Sequence, residues 1–207
     1  MPRRKGLLIA IYGANNTGKT TQARLLVRNL RAAGYRASYV KYPRYDLSPS
    51  GTYINRVLRK SRTQNISEEE LQMWYVLNRF QAEPDLRRKL ERGEIIIAED
   101  YIGTGIAWGM TKGANLAWLE TINAPLLHEN IGILLHGVRF LQGKETRHLH
   151  ERDNSLMKKA AAIHLRLAKQ YGWKIVKAAR PIETVAQDVV TIVQKRLPKI
   201  GKRRSVQ

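Results

Sequence analysis

Residues 6–12 read GLLIAIY, residues 13–21 read GANNTGKTT, and this stretch decides the fold. The first half is an apolar run with the length of a buried strand, and the second half is a turn that contains two glycines. The next segment, QARLLVRNL over residues 22–30, has residue types and spacing that suit a helix. We therefore expect a buried strand, a tight turn and a helix in direct succession.

The turn has the spacing G-x-x-x-x-G-K-T of a phosphate-binding loop, or P-loop. Its two glycines permit backbone conformations that a side chain would obstruct, so that several N–H groups can converge on a phosphate. Lys19 would reach the β- and γ-phosphates of ATP, and the Thr20 hydroxyl would take a coordination position of Mg²⁺. The motif predicts these ATP-binding residues: Gly13, Ala14, Asn15, Asn16, Thr17, Gly18, Lys19, Thr20 and Thr21.

The composition excludes several classes of protein. A chain of 207 residues that is 43% hydrophobic suits one α/β domain with a substantial core. Without cysteine there can be no disulfide, thiolate metal site or cysteine nucleophile. The longest apolar runs are far shorter than the ~20 residues that cross a bilayer, so we expect no membrane association. Because the first strand begins near residue 6, we expect no secretory signal, and the cytoplasm is the default location.

The formal net charge of +20 favours anionic partners such as nucleotides, nucleic acid or anionic lipid. The basic residues are spread along the chain and do not form a single basic helix. They also lack the interleaved aromatic residues that are typical of single-strand binders. A solvated basic surface is the simpler interpretation, and contact with nucleic acid stays open.

Strands alternate with helices along the whole chain. Strands are predicted at residues 6–12, 36–42, 94–100, 130–135 and 173–177. This alternation predicts an α/β, P-loop NTPase three-layer fold with a five-stranded parallel sheet and helices on both faces. We expect one domain over residues 1–197, with a short mobile lid at residues 144–154 and a basic, disordered tail at residues 198–207. A helix that opens with a capping box at Ser67 is expected to break or restart at Pro84.

Two carboxylates, Glu99 and Asp100, come at the end of the third predicted strand. Ligands of parallel sheets bind at the carboxyl ends of the strands, so both acids should face the P-loop crevice. Glu99 is thereby a candidate to organise Mg²⁺ together with Thr20.

Several short motifs around the P-loop resemble those of the thymidylate kinase family, over a stretch from about Leu7 to Leu197. The motifs are YPR at 42–44, NRF at 78–80, EDY at 99–101 with TG at 104–105, ER at 151–152 and WKIV at 173–176. The resemblance implies phosphoryl transfer from ATP to dTMP, with Mg²⁺ as cofactor. It also implies a homodimer.

The resemblance further implies roles for individual residues. Tyr75 and Arg79 lie one helical turn apart and should project toward the same cavity, where the family places the acceptor base and phosphate. Ala179 belongs to a loop that would lie against the adenine. The implied acceptor-binding residues are Tyr42, Arg44, Tyr75, Arg79, Asp100, Tyr101 and Trp108. The implied catalytic residues are Lys19, Glu99, Arg147 and Arg152, and Thr20 and Glu99 would hold the metal.

The sequence departs from the family pattern at three positions. Asn15 replaces an acidic residue, and Asn16 stands where some members carry an arginine. Asp100 stands where the family has an arginine that contacts the acceptor phosphate, and an acid there would repel a dianion unless it took over a role toward Mg²⁺. The acceptor site could be rebuilt around Arg44 and Arg79, the acceptor could differ, or activity could be reduced.

Two other functions stay open at this point. A basic P-loop ATPase that acts on nucleic acid would show salt-sensitive, nucleic-acid-stimulated hydrolysis, but it leaves the YPR and NR motifs unexplained. A nucleotide-binding relative that has lost catalysis would bind ATP without turnover, and the residues that motivate it are Asn15 and Asp100.

Overall fold

The computed structural model describes residues 5–59, 66–137 and 154–197. Its five strands are all parallel and lie within one residue of the predicted bounds. They are β1 Leu7–Tyr12, β2 Ala37–Lys41, β3 Ile95–Glu99, β4 Ile131–His136 and β5 Lys174–Lys177. The order across the sheet is β2-β3-β1-β4-β5.

The helices cover both faces of this sheet. They are α1 Lys19–Ala32, α2 Ser50–Arg59, α3 Glu68–Glu91, α4 Ile102–Thr111, α5 Leu116–Asn123, α6 Asn154–Gln170 and α7 Ile182–Gln194. On β1, Ile9 and Ile11 pack into the layer formed by α1 and α7, whereas Leu8, Ala10 and Tyr12 pack into the layer formed by α3 to α6. This alternation confirms the predicted three-layer P-loop NTPase fold.

The strand order positions the functional site. The chain runs from β1 to β2 and β3 on one side of the sheet and to β4 and β5 on the other side. The loop after β1 therefore lies at the point where the direction of winding reverses. In open α/β sheets, ligands bind in the crevice outside the carboxyl ends of the strands at this point.

Helix α3 corrects one expectation. Ser67 caps it as predicted, by accepting a hydrogen bond from the Glu70 N–H at 3.0 Å, but the helix then continues through Pro84 to Glu91 without a break. Pro84 cannot donate to the carbonyl of Phe80, one turn earlier. Both residues are exposed, so water can satisfy that carbonyl and the helix can tolerate the proline.

The predicted lid at residues 144–154 lies outside the described residues except for Asn154, the first residue of α6, and the predicted tail at 198–207 lies wholly outside them. Among the described helices, none combines the length and the apolar character that a bilayer crossing requires.

Candidate active site

The P-loop adopts a conformation that its glycines make possible. Gly13 has a φ of 147°, and a Cβ at this position would lie 2.6 Å from the carbonyl oxygen of Leu135 and 2.8 Å from the Oγ1 of Thr17. Gly18 has a φ of 85° and stands immediately before the first turn of α1. The Thr17 hydroxyl closes the loop by donating to the Ala14 carbonyl at 2.9 Å. The loop thus opens onto the N-terminus of α1, which favours a phosphate.

Lys19 is only 6% exposed. Its ammonium donates to the carbonyls of Gly13 and Ala14 at 3.0 Å each and lies 3.6 Å from Oδ1 of Asp100. The charged end is therefore held at the loop, where bound phosphates would meet it.

Glu99, at the end of β3, is surrounded by donors. The Thr20 hydroxyl donates to its Oε1 at 2.8 Å, Lys41 Nζ lies 3.2 Å from the same oxygen, and the Tyr39 hydroxyl donates to Oε2 at 2.5 Å. Burial alone would raise the pKa of Glu99, but the Tyr39 hydrogen bond and the Lys41 charge outweigh it and the pKa is lowered. A threonine hydroxyl beside an ionised carboxylate fits the oxygen preference of Mg²⁺.

Asp100, the next residue, has a left-handed backbone with a φ of 60°. Its Oδ1 accepts a hydrogen bond from the Thr104 hydroxyl at 3.1 Å and faces Lys19. Burial raises the pKa of Asp100, the Lys19 charge lowers it, and the net direction is upward.

A cleft of about 790 Å³ joins the P-loop to the surface of α3. Most of the predicted site residues line it. They are Asn15, Asn16, Thr17, Gly18, Lys19, Thr20, Thr21, Tyr42, Tyr75, Arg79, Glu99, Asp100 and Trp108. Residues predicted to hold ATP and residues predicted to hold the acceptor thus share one cavity.

Arg79 is 4% exposed and lines the cleft. One terminal nitrogen donates to the Tyr101 carbonyl at 3.1 Å, and the other donates to Oδ1 of Asn123 at 3.2 Å. Nε has no hydrogen-bond partner within the part of the chain that the structure describes. No carboxylate of the described residues forms an ion pair with Arg79, and burial lowers its pKa. A buried guanidinium with unused donor capacity is a strong binding group for an anion or a base carbonyl.

Arg79 has this position because Gly105 leaves space for it. A Cβ on Gly105 would lie 2.5 Å from a terminal nitrogen of Arg79. Thr104, the preceding residue, contacts Asp100. The first turn of α4 therefore contacts Asp100 on the P-loop side of the cleft and Arg79 on the α3 side.

Arg44 is not among the residues that line the cleft. Its guanidinium forms a two-point ion pair with Asp46, at 2.8 and 2.5 Å, and faces a neighbouring depression. Its backbone is fixed by Asn78, whose side chain accepts from the Arg44 N–H at 2.7 Å and donates to the Arg44 carbonyl at 2.9 Å.

Two more predicted residues lie beside the cleft. Tyr101 is fully buried, its hydroxyl donates to the Leu127 carbonyl at 2.8 Å, and it contributes to the site through the carbonyl that binds Arg79. Ala179 is exposed between Ala178 and Arg180, which do line the cleft. Arg147 and Arg152 lie outside the described residues.

Several residues around the cleft carry no signal among the motifs identified in the sequence. Tyr39 and Lys41 come from β2, and Lys41 pairs in register with Glu99. The strand-end rule that selected Glu99 could have selected Lys41 as well. Asn123, which contacts Arg79, lies 44 residues away from it in the chain, so no local pattern connects the two.

A family model, described as thymidylate kinase, matches residues 11–189 and so includes the P-loop, α3 and the carboxylates of β3. The chain belongs to the thymidylate kinase family.

Relatives along most of the chain agree with this assignment, and one solved structure shares the fold. The human thymidylate kinase is 27% identical over 194 residues, which cover 91% of this chain and 90% of the relative. A probable thymidylate kinase from Pyrococcus abyssi is 25% identical and is covered over 98% of its length. The fold matches that of the Candida albicans thymidylate kinase with a TM-score of 0.77, at 23% identity, over 93% of this chain and 92% of that one.

Proposed function

We propose that this chain transfers the γ-phosphoryl group of ATP to dTMP and so produces ADP and dTDP. One observation carries the proposal: a single cleft contains both a P-loop and the α3 face that bears Tyr75 and Arg79. A triphosphate at the loop and a monophosphate at Arg79 would meet within that cleft. Positioning of this kind supplies much of the rate enhancement of phosphoryl transfer.

The donor half would hold ATP through the P-loop and Lys19. Thr20 and Glu99 are the residues that would hold Mg²⁺, which neutralises charge on the β- and γ-phosphates when it is bound. Glu99 keeps the Thr20 hydroxyl oriented by accepting a hydrogen bond from it, which leaves the lone pairs of the Thr20 oxygen for a ligand.

The acceptor half would hold dTMP against α3. Tyr75 can stack on the base, which contributes on the order of 1–3 kcal/mol, and Trp108 and Tyr42 border the same space. Arg79 would donate to the acceptor through its unused capacity. Arg44 would bind the acceptor phosphate after its ion pair with the exposed Asp46 breaks, and the phosphate dianion would then replace the Asp46 carboxylate.

The transfer needs no covalent enzyme intermediate. An oxygen of the dTMP phosphate attacks the γ-phosphorus, and the bridging oxygen leaves with ADP. We assign Arg147 and Arg152 to neutralise charge in the transition state, as the family resemblance implies.

A direct test is release of ADP with dTMP, dUMP, dCMP, dGMP and UMP measured in parallel. We expect a strong preference for dTMP. ADP release that requires DNA or RNA would instead identify a nucleic-acid-dependent ATPase that uses the basic surface. Binding of ATP without ADP release for any acceptor would identify a relative that has lost catalysis.

The proposal includes a homodimer in the cytoplasm. Met73, Leu77 and Phe80 form an exposed apolar stripe along α3, with 53%, 39% and 41% of their surfaces exposed. The spacing of i, i+4 and i+7 is that of a helix face that packs on a partner. Leu77→Glu should convert the dimer to a monomer in light scattering, whereas Glu69→Gln, at another exposed position of α3, should not. A monomeric wild-type chain would contradict this part of the proposal.

A further inference from the structure

Asp100 lies on the triphosphate side of the cleft. Its Oδ1 is 3.6 Å from Lys19 Nζ, and a P-loop lysine contacts the β- and γ-phosphates. The left-handed backbone, with a φ of 60°, and the hydrogen bond from Thr104 hold the carboxylate there. Asp100 is therefore adjacent to the place where the donor phosphates would lie.

The oxygens of the two neighbouring carboxylates are engaged differently. Both oxygens of Glu99 accept hydrogen bonds, one from Thr20 and one from Tyr39. Asp100 uses Oδ1 for Thr104 and Lys19, and among the described residues no group donates to its Oδ2. Asp100 lines the cleft, so this second oxygen is available to a ligand.

A carboxylate in this place has opposite effects on the two forms of the nucleotide. Metal-free ATP brings four negative charges toward Lys19, and Asp100 both repels them and competes for the lysine. MgATP carries a hard cation that prefers oxygen ligands and several bound waters, and a free carboxylate oxygen can accept from those waters.

We propose that Asp100 is a positioning residue for the Mg²⁺ of MgATP, in addition to Thr20 and Glu99, and that it makes nucleotide binding depend strongly on the metal. The inference rests on the proposed function for the presence of MgATP at the P-loop. Asp100 thus serves the donor, whereas an arginine at this position would serve the acceptor phosphate.

The test is calorimetric titration of ATP in Mg²⁺ and in EDTA, with wild type, Asp100→Asn and the control Asp85→Asn. Asparagine adopts a left-handed backbone readily, so the turn should be kept. In Asp100→Asn, we expect MgATP to bind about tenfold more weakly and metal-free ATP about tenfold more tightly. Asp85 lies on α3 and pairs with Arg88 and Lys89, so its variant should leave both affinities unchanged.

Two affinities that move in the same direction, or that do not move, would overturn the inference, because loss of fold alone weakens both. A gain in dTMP affinity with unchanged ATP affinities would also overturn it and would assign Asp100 to the acceptor. Wild type gives an independent reading, since equal affinities for ATP with and without Mg²⁺ would contradict the proposal without any variant.

The ATP titrations contain no acceptor, and dTMP affinity is measured in a separate titration without ATP, so neither outcome depends on phosphoryl transfer. A titration result that overturns the role of Asp100 would not contradict dTMP phosphorylation. Absence of ADP release with dTMP would contradict the proposed function, but it would not contradict the metal dependence of ATP binding.

Discussion

The P-loop and the pocket around Arg79 line the same cleft, but different interactions build them. The loop consists of contiguous residues, and its shape follows from backbone angles at two glycines and a hydrogen bond from Thr17 to Ala14. The Arg79 pocket combines a side chain of α3 with the carbonyl of Tyr101, the amide of Asn123 and the space at Gly105. The P-loop depends on local backbone, whereas the Arg79 pocket depends on the packing of three segments, which are α3, the start of α4 and α5.

The largest effect is expected at the P-loop. Lys19→Ala removes the buried ammonium at the loop and should lower kcat by at least about a hundredfold, since it takes away a preorganised charge at the transferring group. Calorimetry should show dTMP affinity unchanged. A comparable loss of dTMP affinity would mean that the two regions are not separate.

The next largest effect is expected at Arg79, where the affinity for dTMP should change and the affinity for ATP should not. Arg79→Ala should weaken dTMP binding by about 10- to 100-fold, as expected for loss of charge-assisted hydrogen bonds, and should leave ATP affinity unchanged. Arg79→Lys should not restore binding, because an ammonium lacks the planar arrangement of donors. Equal losses of ATP and dTMP affinity would point to a collapsed cleft.

A smaller change tests the packing of the Arg79 pocket. Gly105→Ala adds one methyl group 2.5 Å from the Arg79 guanidinium and should raise the KM for dTMP by about tenfold without a change in the KM for ATP. The control is the double variant with Arg79→Ala, in which the added methyl should have no further effect. Additive losses would show that Gly105 acts by some route other than Arg79.

The smallest effect concerns α3, the helix that carries Tyr75 and Arg79. Pro84→Ala restores a backbone hydrogen bond on the exposed face of α3 and should stabilise the chain by on the order of 1–2 kcal/mol, after the lost rigidity of the unfolded chain is deducted. Urea unfolding measures the gain, and both KM values should stay the same. A destabilised variant would mean that Pro84 shapes α3 in a way that its exposure does not show.

The same contrast explains how far the sequence could predict the site. The P-loop was predictable because G-x-x-x-x-G-K-T fixes a local conformation and the flanking strand and helix fix its orientation. Strands β1 and β3 were predictable because each is a buried apolar run between turn signals. Tyr75 and Arg79 share a face because one helical turn separates them.

The remaining features depend on contacts between distant parts of the chain. Nothing local indicates that Tyr101 is buried behind the cleft. The proline rule failed at Pro84 because it carries no information about which face of α3 meets water. Lys41 reaches Glu99 only because β2 and β3 are neighbours in the sheet, and strand order is a tertiary property.

The central claim is that one cleft holds a triphosphate end-on to an acceptor phosphate at Arg79. The most direct measurement is the affinity of a bisubstrate nucleotide that joins adenosine and thymidine through a chain of phosphates. We expect it to bind at least about a hundredfold more tightly than ATP, because the two halves occupy linked sites, and to lose that advantage in both Lys19→Ala and Arg79→Ala. A bisubstrate that binds wild type no better than ATP does would contradict the account.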